Sequence, residues 1–337
     1  MTTYKGINGF AVQSVASDPS PLDEGQVWYN NATYAFKLAS VTTSGSWATG
    51  GNLGTSRYRM GSAGIQTAGL IFGGVFPAGP PYNRNQTEKY DGTSWTSSGT
   101  MPAERFGMGS GGTQTAAIGF GGGQTEPFGS PPQVNATITF NGTSWTTPPA
   151  TLNTARTYIG PAATQTAAIG FGGYIYPGTV VNNAESYNGT SWTTVTNYPT
   201  TVRDASAAGT QTAALGFAGY TPPTSSTNKI ANSWNGTTWT SSPNLNNNGQ
   251  GRGGFGTQTA AVAAGGGSSP APLASVETWN GTSWTNNTAT SNNLGFRGGL
   301  GTISSGLVAG GTPGNPITAV EEWTGPGVAQ TKTITTS

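Results

Sequence analysis

The sequence predicts an all-β protein built as a six-bladed propeller, and three observations carry that reading. Marks recur in one fixed order every 45–51 residues. Each unit contains four short apolar or Thr/Ser-rich runs divided by turn signals. The composition suits tight turns and thin strands, with 54 Gly and 22 Pro among 337 residues but only 7% charged residues.

The first mark of each unit is an arginine: Arg57, Arg105, Arg156, Arg203, Arg252 and Arg297. A TQT-type turn follows, with Gln66, Gln114, Gln165, Gln211 and Gln258; the sixth copy has become Thr302–Gly306, TISSG. The third mark is an apolar–Gly–Gly step, at Phe72, Phe120 and Phe171, as Phe-Ala-Gly at Phe217, then at Ala264 and Ala309. An aromatic closes the third run (Tyr90, Phe140, Tyr187, Trp234, Trp279, Trp323). A tryptophan opens the fourth (Trp95, Trp145, Trp192, Trp239, Trp284). Between these two the Asn-Gly step predicts a two-residue type I′ turn, which needs φ > 0 at both positions. Four antiparallel strands in about 47 residues define a propeller blade. One blade cannot bury both its faces, so the units must stack around an axis.

The marks are out of phase with the chain. Trp47 lies in a fourth-strand pattern before any first strand, and Trp323 has no fourth strand after it. Circular closure resolves this, with the Trp47 strand completing the last blade. The expected organisation is an N-terminal extension over 1–44, a propeller over 45–325 and a tail over 326–337. The extension carries a charge cluster (Asp18, Asp23, Glu24) and a VWYN…YAFKL hairpin pattern. In the tail, the alternating TKTITTS suits an added edge strand.

Absent residue types exclude most chemistry. There is no Cys and no His, so disulfides, Cys or His metal sites and Ser-His-Asp catalysis are ruled out; neither a cofactor nor a metal is expected. A net charge of +1 gives no argument for nucleic acid or anionic lipid. No apolar run is long enough to span a bilayer, and the start, MTTYKGINGF, lacks a secretory apolar core. Glu104, Glu126 and Asp204 are the irregular carboxylates of the variable face, and nothing pairs them by spacing. A non-enzyme is expected. The Asn-X-Thr matches follow from turn chemistry rather than glycosylation.

The pre-strand Arg, the Gly-Gly doublet and the nearby Tyr and Trp resemble the kelch repeat family over roughly residues 45–325. That resemblance implies a propeller which usually binds proteins and is occasionally an oxidase with Cys and His around copper; this chain has neither residue. The segment DPSPLDEGQVWYN (18–30), followed by AFKL, resembles tail-fibre and other virion proteins of marine cyanobacterial bacteriophages, as do repeats ending in YNGTSWT. This implies a virion component, tail- or fibre-associated, on the particle surface. The alternatives are a capsid decoration or cementing protein and a free carbohydrate-binding lectin. Expected partners are other virion proteins through residues 1–44 and a host surface glycan or protein.

Once-per-blade aromatics read as packing between blades. The six arginines are expected to ring one channel mouth. They would serve either as an anion site or, the stronger reading, as partners of the periodic acids Glu88, Glu185, Glu277 and Glu321; Ile138 and Asn232 take that place in two blades. Strand alternation puts the uniform turns on one face and the Pro-rich loops on the other. The candidate binding residues of that loop face are Phe76, Tyr82, Arg84, Phe128, Tyr174, Tyr176 and Tyr220.

Overall fold

The computed structural model describes residues 12–20, 25–41, 44–76, 84–124, 133–222, 226–267, 271–312, 317–327 and 329–334. The chain divides into two compact units, Trp47–Thr324 and a second made of Met1–Ser46 with Gly325–Ser337.

The larger unit is a six-bladed β-propeller. From inside outward, blade 1 is Gly61–Ile65, Ala68–Phe72, Thr87–Tyr90 and Trp95–Ser98. Blade 6 is Gly298–Gly301, Ser305–Ala309, Val320–Thr324 and then Ser46–Thr49 from the N-terminal side. The circular closure expected from the phase of the repeats is therefore present. Trp47 packs on Trp323 with ring centroids 5.0 Å apart, and its indole donates to the Thr288 carbonyl of blade 5 at 2.9 Å. The inner strands of neighbouring blades touch one another around the whole axis, including first against last.

The fourth-strand tryptophans and the turn glutamines tie one blade to the next. The fourth-strand tryptophan lies on the Phe of the preceding blade: Trp145 on Phe72 at 4.6 Å, Trp192 on Phe120 at 4.7 Å and Trp239 on Phe171 at 5.0 Å. Those Phe rings are wholly buried, which fits packing as the role of the aromatics. The turn glutamine is a clamp that sequence reasoning did not find. Gln114 donates to the carbonyls of Gly69 and Tyr90, Gln165 to Ala117 and Phe140, and Gln258 to Ala214 and Trp234. Gln66 reaches the Trp323 carbonyl at 3.3 Å and so closes the cycle between blades 6 and 1.

The Asn-Gly step differs from expectation. Phe140 pairs with Trp145, so four residues connect the strands instead of two. Gly142 alone takes φ +96°, while Asn141 Oδ1 accepts the Thr143 and Ser144 amides at 3.0 and 2.9 Å. The Asn side chain supplies the turn hydrogen bonds that a type I′ backbone would have made.

The smaller unit is one four-stranded sheet. Gln13–Val15 pairs parallel with Val27–Asn30, which forms a hairpin with Ala35–Val41; the tail strand Ala329–Thr333 lies antiparallel beside the latter. Both chain ends thus share a sheet. One of its faces buries Trp28 and Ala39, and Asp18 accepts hydrogen bonds from the Trp28 indole and Asn30.

Candidate functional site

The site is the propeller mouth on the loop face. It is built from three circles of backbone, each with one residue per blade. In the first circle, the second residue of each Gly doublet donates its N–H to the next blade: Gly74 to Arg105, Gly122 to Arg156, Gly173 to Val202, Gly219 to Gly249, Gly266 to Leu294 and Gly311 to Arg57, at 2.7–2.9 Å. Gly73 and Gly74 have φ +65° and +104°. A Cβ on Gly73 would lie 2.5 Å from the Arg105 carbonyl oxygen, so this approach favours glycine in blade 1, whereas blade 4 holds Ala218 there at φ +59°.

The second circle is a closed ring. Arg59, Gly107, Tyr158, Asp204, Gly251 and Phe296 all adopt left-handed backbone, with φ between +52° and +59°. Each N–H donates to the carbonyl of the preceding member, and Arg59 closes on Phe296 at 3.0 Å. Left-handed backbone is costly for non-Gly residues; here six mutually supporting hydrogen bonds hold it. The third circle pairs the residue before each of these with the loop that follows strand two: Tyr58 with Val75, Phe106 with Gly123, Thr157 with Tyr174, Arg203 with Tyr220, Gln250 with Gly267 and Gly295 with Thr312.

This frame corrects the arginine ring. Arg57, Arg105, Arg156, Arg252 and Arg297 do not line the mouth with their charges; they are buried within the blades. Nor are they one structural position. Measured from the left-handed ring, the first three lie two residues before it, and Arg252 and Arg297 one residue after it. Both positions reach the same acid on the third strand. Arg57 pairs with Glu88, Arg156 with Glu185, Arg252 with Glu277 at 3.7 Å and Arg297 with Glu321 at 3.3 Å. Each acid also fixes the incoming loop: Glu88 accepts the Gly54 amide and Glu185 the Asn153 amide, both at 2.6 Å. Arg105, facing Ile138, donates instead to the Ala136 carbonyl at 2.9 Å, and burial pushes its guanidinium below the ordinary value.

Arg203 is the exception and stays at the mouth. Its blade carries Asn232 in place of the acid. Its guanidinium lies 4.4 Å from the Tyr220 ring centre and 5.3 Å from that of Tyr174. Two candidate loop aromatics are thereby brought together. Tyr176 is exposed nearby along the chain, in the loop between Tyr174–Ile175 and Thr179–Val180. Phe76 and Arg84 form a separate pair in blade 1, stacked at 4.4 Å. Tyr82, Phe128 and Glu126 lie outside the described residues.

Sequence reasoning missed Arg59. Its guanidinium sits 4.2 Å from the Tyr158 ring centre and 4.4 Å from that of Phe296, donates to the Tyr158 hydroxyl at 3.0 Å and approaches Asp204 at 3.6 Å. Blades 1, 3, 4 and 6 are thus tied across the mouth. Beneath lies an axial cavity of about 290 Å³, lined by Ser62, Ser110, Ser206 and small inner-strand residues. No repeat pattern marks Arg59, because its counterparts are chemically unrelated.

Asp204 is buried, and its Oδ2 makes no hydrogen bond. Burial raises its pKa above the ordinary 3.8, outweighing the opposing charges of Arg59 and Arg203. The folded protein therefore keeps this proton to a higher pH than the unfolded chain does. Its contribution is most favourable below the unfolded value and is lost as pH rises through the folded one. Relative to Asp204→Asn, the wild type should lose stability as pH rises from about 3.8 toward neutrality. Melting temperatures of the two proteins across that range check this; a flat difference, or one of opposite slope, would mean that the Arg59 pair governs the group.

Among the described residues, no group of three or more Asp or Glu could hold a metal ion, and no helix is long and apolar enough to cross a membrane. The fold and the mouth together define a β-propeller with one uniform and one variable face. Many solved structures are similar to it. One is the structure of YjhT, with a TM-score of 0.66 and 14% identity, covering 80% of this chain and 95% of that one. At that identity the likeness concerns the fold. No family model matches the sequence, and no curated protein does.

Proposed function

We propose that the chain is a non-enzymatic binding propeller of the kelch type, carried on a bacteriophage particle and turning its loop face to a host surface glycan or protein. The observation that carries this reading is the asymmetry of the two faces. On one, the Asn-Gly connections repeat the same Asx-capped geometry at Asn141, Asn188, Asn235 and Asn280. On the other, loops of different length and content surround a mouth rich in Tyr, Phe and Arg. Invariant turns serve the scaffold, whereas varied loops on a rigid frame suit recognition.

The kelch comparison is supported by the place of its marks, since the Gly doublets fall at blade junctions and the Arg–Glu pairs tie the entry of a blade to its own third strand. The virion reading is supported by the segment 18–30. The terminal sheet suits docking to neighbouring virion proteins: Val12, Val27, Phe36 and Ile334 are each 40–49% exposed. The non-enzymatic reading is supported by the engagement of four buried acids, Glu88, Glu185, Glu277 and Glu321, with arginines among the described residues.

The test is to label the protein on particles and to ask whether soluble protein blocks adsorption to host cells. Tail labelling with competitive block is expected. A capsid-lattice position without block would establish a decoration protein instead, and glycan binding by a protein absent from particles would establish a free lectin.

A further inference from the structure

We propose that Arg203, between the loop hairpins of blades 3 and 4, is the anion-binding centre of the loop face and takes the carboxylate or sulfate ester of an acidic saccharide. This rests on the adhesion reading and gives its target a chemistry.

Five of the six repeat arginines spend their charge inside the blades. Arg203 does not: a quarter of its side chain is exposed, and its nearest acidic atom, Asp204 Oδ2, lies 4.0 Å away, beyond hydrogen-bond reach. Its buried Nε has no hydrogen-bond partner, as is also true of Arg105, Arg252 and Arg297, so it is the exposure of the guanidinium that sets Arg203 apart. Asp204 is shared with Arg59 at 3.6 Å, so two guanidiniums face one carboxylate and this part of the mouth is net positive.

The surroundings are built rather than incidental. Among the described residues, only two of the loops that follow the second strand fold into strand pairs, Tyr174–Ile175 with Thr179–Val180 and Tyr220–Thr221 with Ser226–Thr227. They belong to the adjacent blades 3 and 4 and contribute the two tyrosines beside Arg203. A guanidinium stacked on a ring keeps its in-plane N–H edge for an oxyanion, which it grips with two parallel hydrogen bonds. The tyrosine rings and hydroxyls beside it suit the C–H face and hydroxyl groups of a pyranose. A chain of net charge +1 has little long-range steering to offer, so such binding depends on direct contact and gains strength from many copies on one particle.

The experiment is calorimetric titration of the full chain with an oligogalacturonate, its methyl ester and a sulfated galactan oligomer. The uronate or the sulfated oligomer, or both, should bind at least tenfold more tightly than the ester, and which of the two binds identifies the anion. Arg203→Gln should abolish that preference while its melting temperature stays near the wild-type value; Arg203→Lys should retain only part of it. Equal binding of acid and ester by the wild type, or no binding of either anion, overturns the proposal without needing any variant. So does an unchanged preference in Arg203→Gln, or a preference for an acidic peptide over both oligomers. Soluble Arg203→Gln that still blocks adsorption would refute this site and leave the adhesin standing. Arg203-dependent anion binding by a protein that blocks nothing would do the reverse.

Discussion

A chain lacking residues 1–49 melts far below one lacking only residues 1–44. Both deletions remove three strands of the terminal sheet, so the difference between them isolates the strand Ser46–Thr49. That strand covers the outer edge of Val320–Thr324 in blade 6. Its Trp47 packs on Trp323, which is fully buried, and bonds to blade 5. Losing it strips an aromatic from a packed cluster, at a cost of about 3–5 kcal/mol by analogy with large-to-small core changes, and also frees a strand edge. The first place to open should be the third strand of blade 6. Hydrogen exchange at Val320–Thr324 should accelerate more than at the matching strand Ala184–Tyr187 of blade 3. Equal melting temperatures for the two deletions would mean that the ring does not depend on its clasp.

Glu185→Ala destabilises the propeller by about 3–5 kcal/mol, the range found when one partner of a buried ion pair is removed. Arg156 is wholly buried; without Glu185 it keeps its bonds to the carbonyls of Gly172, Thr154 and Gly170 but loses its counter-charge. The Asn153 amide loses its acceptor at the same time. The double variant Arg156→Met/Glu185→Met should recover most of that loss, because apolar replacement of a whole buried pair is often neutral. Blade 2 supplies the internal comparison: there Ile138 already stands in place of the acid, so Arg105→Met should cost far less than Glu185→Ala. Denaturant titrations of the four proteins decide this. A Glu185→Ala cost no greater than that of Arg105→Met would show that the carbonyl bonds, not the acid, hold these arginines.

The blade count, the closing strand and the packing role of the tryptophans were legible because each repeats once per blade with the same chemistry. Trp145, Trp192, Trp239 and Trp284 each meet a Phe of the preceding blade, so packing leaves a period in the sequence. The arginines show the limit of that logic. They recur at about the right spacing, yet Arg57 and Arg297 occupy different positions and only converge on equivalent glutamates. A long flexible side chain can reach one partner from two places on the backbone, so spacing alone could not separate them. Nor could spacing show that Arg203 had left the pattern, although Asn232 in place of an acid was a visible signal.

By itself, the sequence determined a ring of six blades with unlike faces, since the apolar period and turn chemistry of each unit act over a few residues. Only the tertiary structure decided the mouth. Arg59, Gly107, Tyr158, Asp204, Gly251 and Phe296 share no side-chain chemistry; they form one ring because their backbone N–H and C=O groups meet across blades. Backbone hydrogen bonds between distant segments carry no side-chain signature, and it is those bonds that place Arg59 across the mouth and Arg203 beside it.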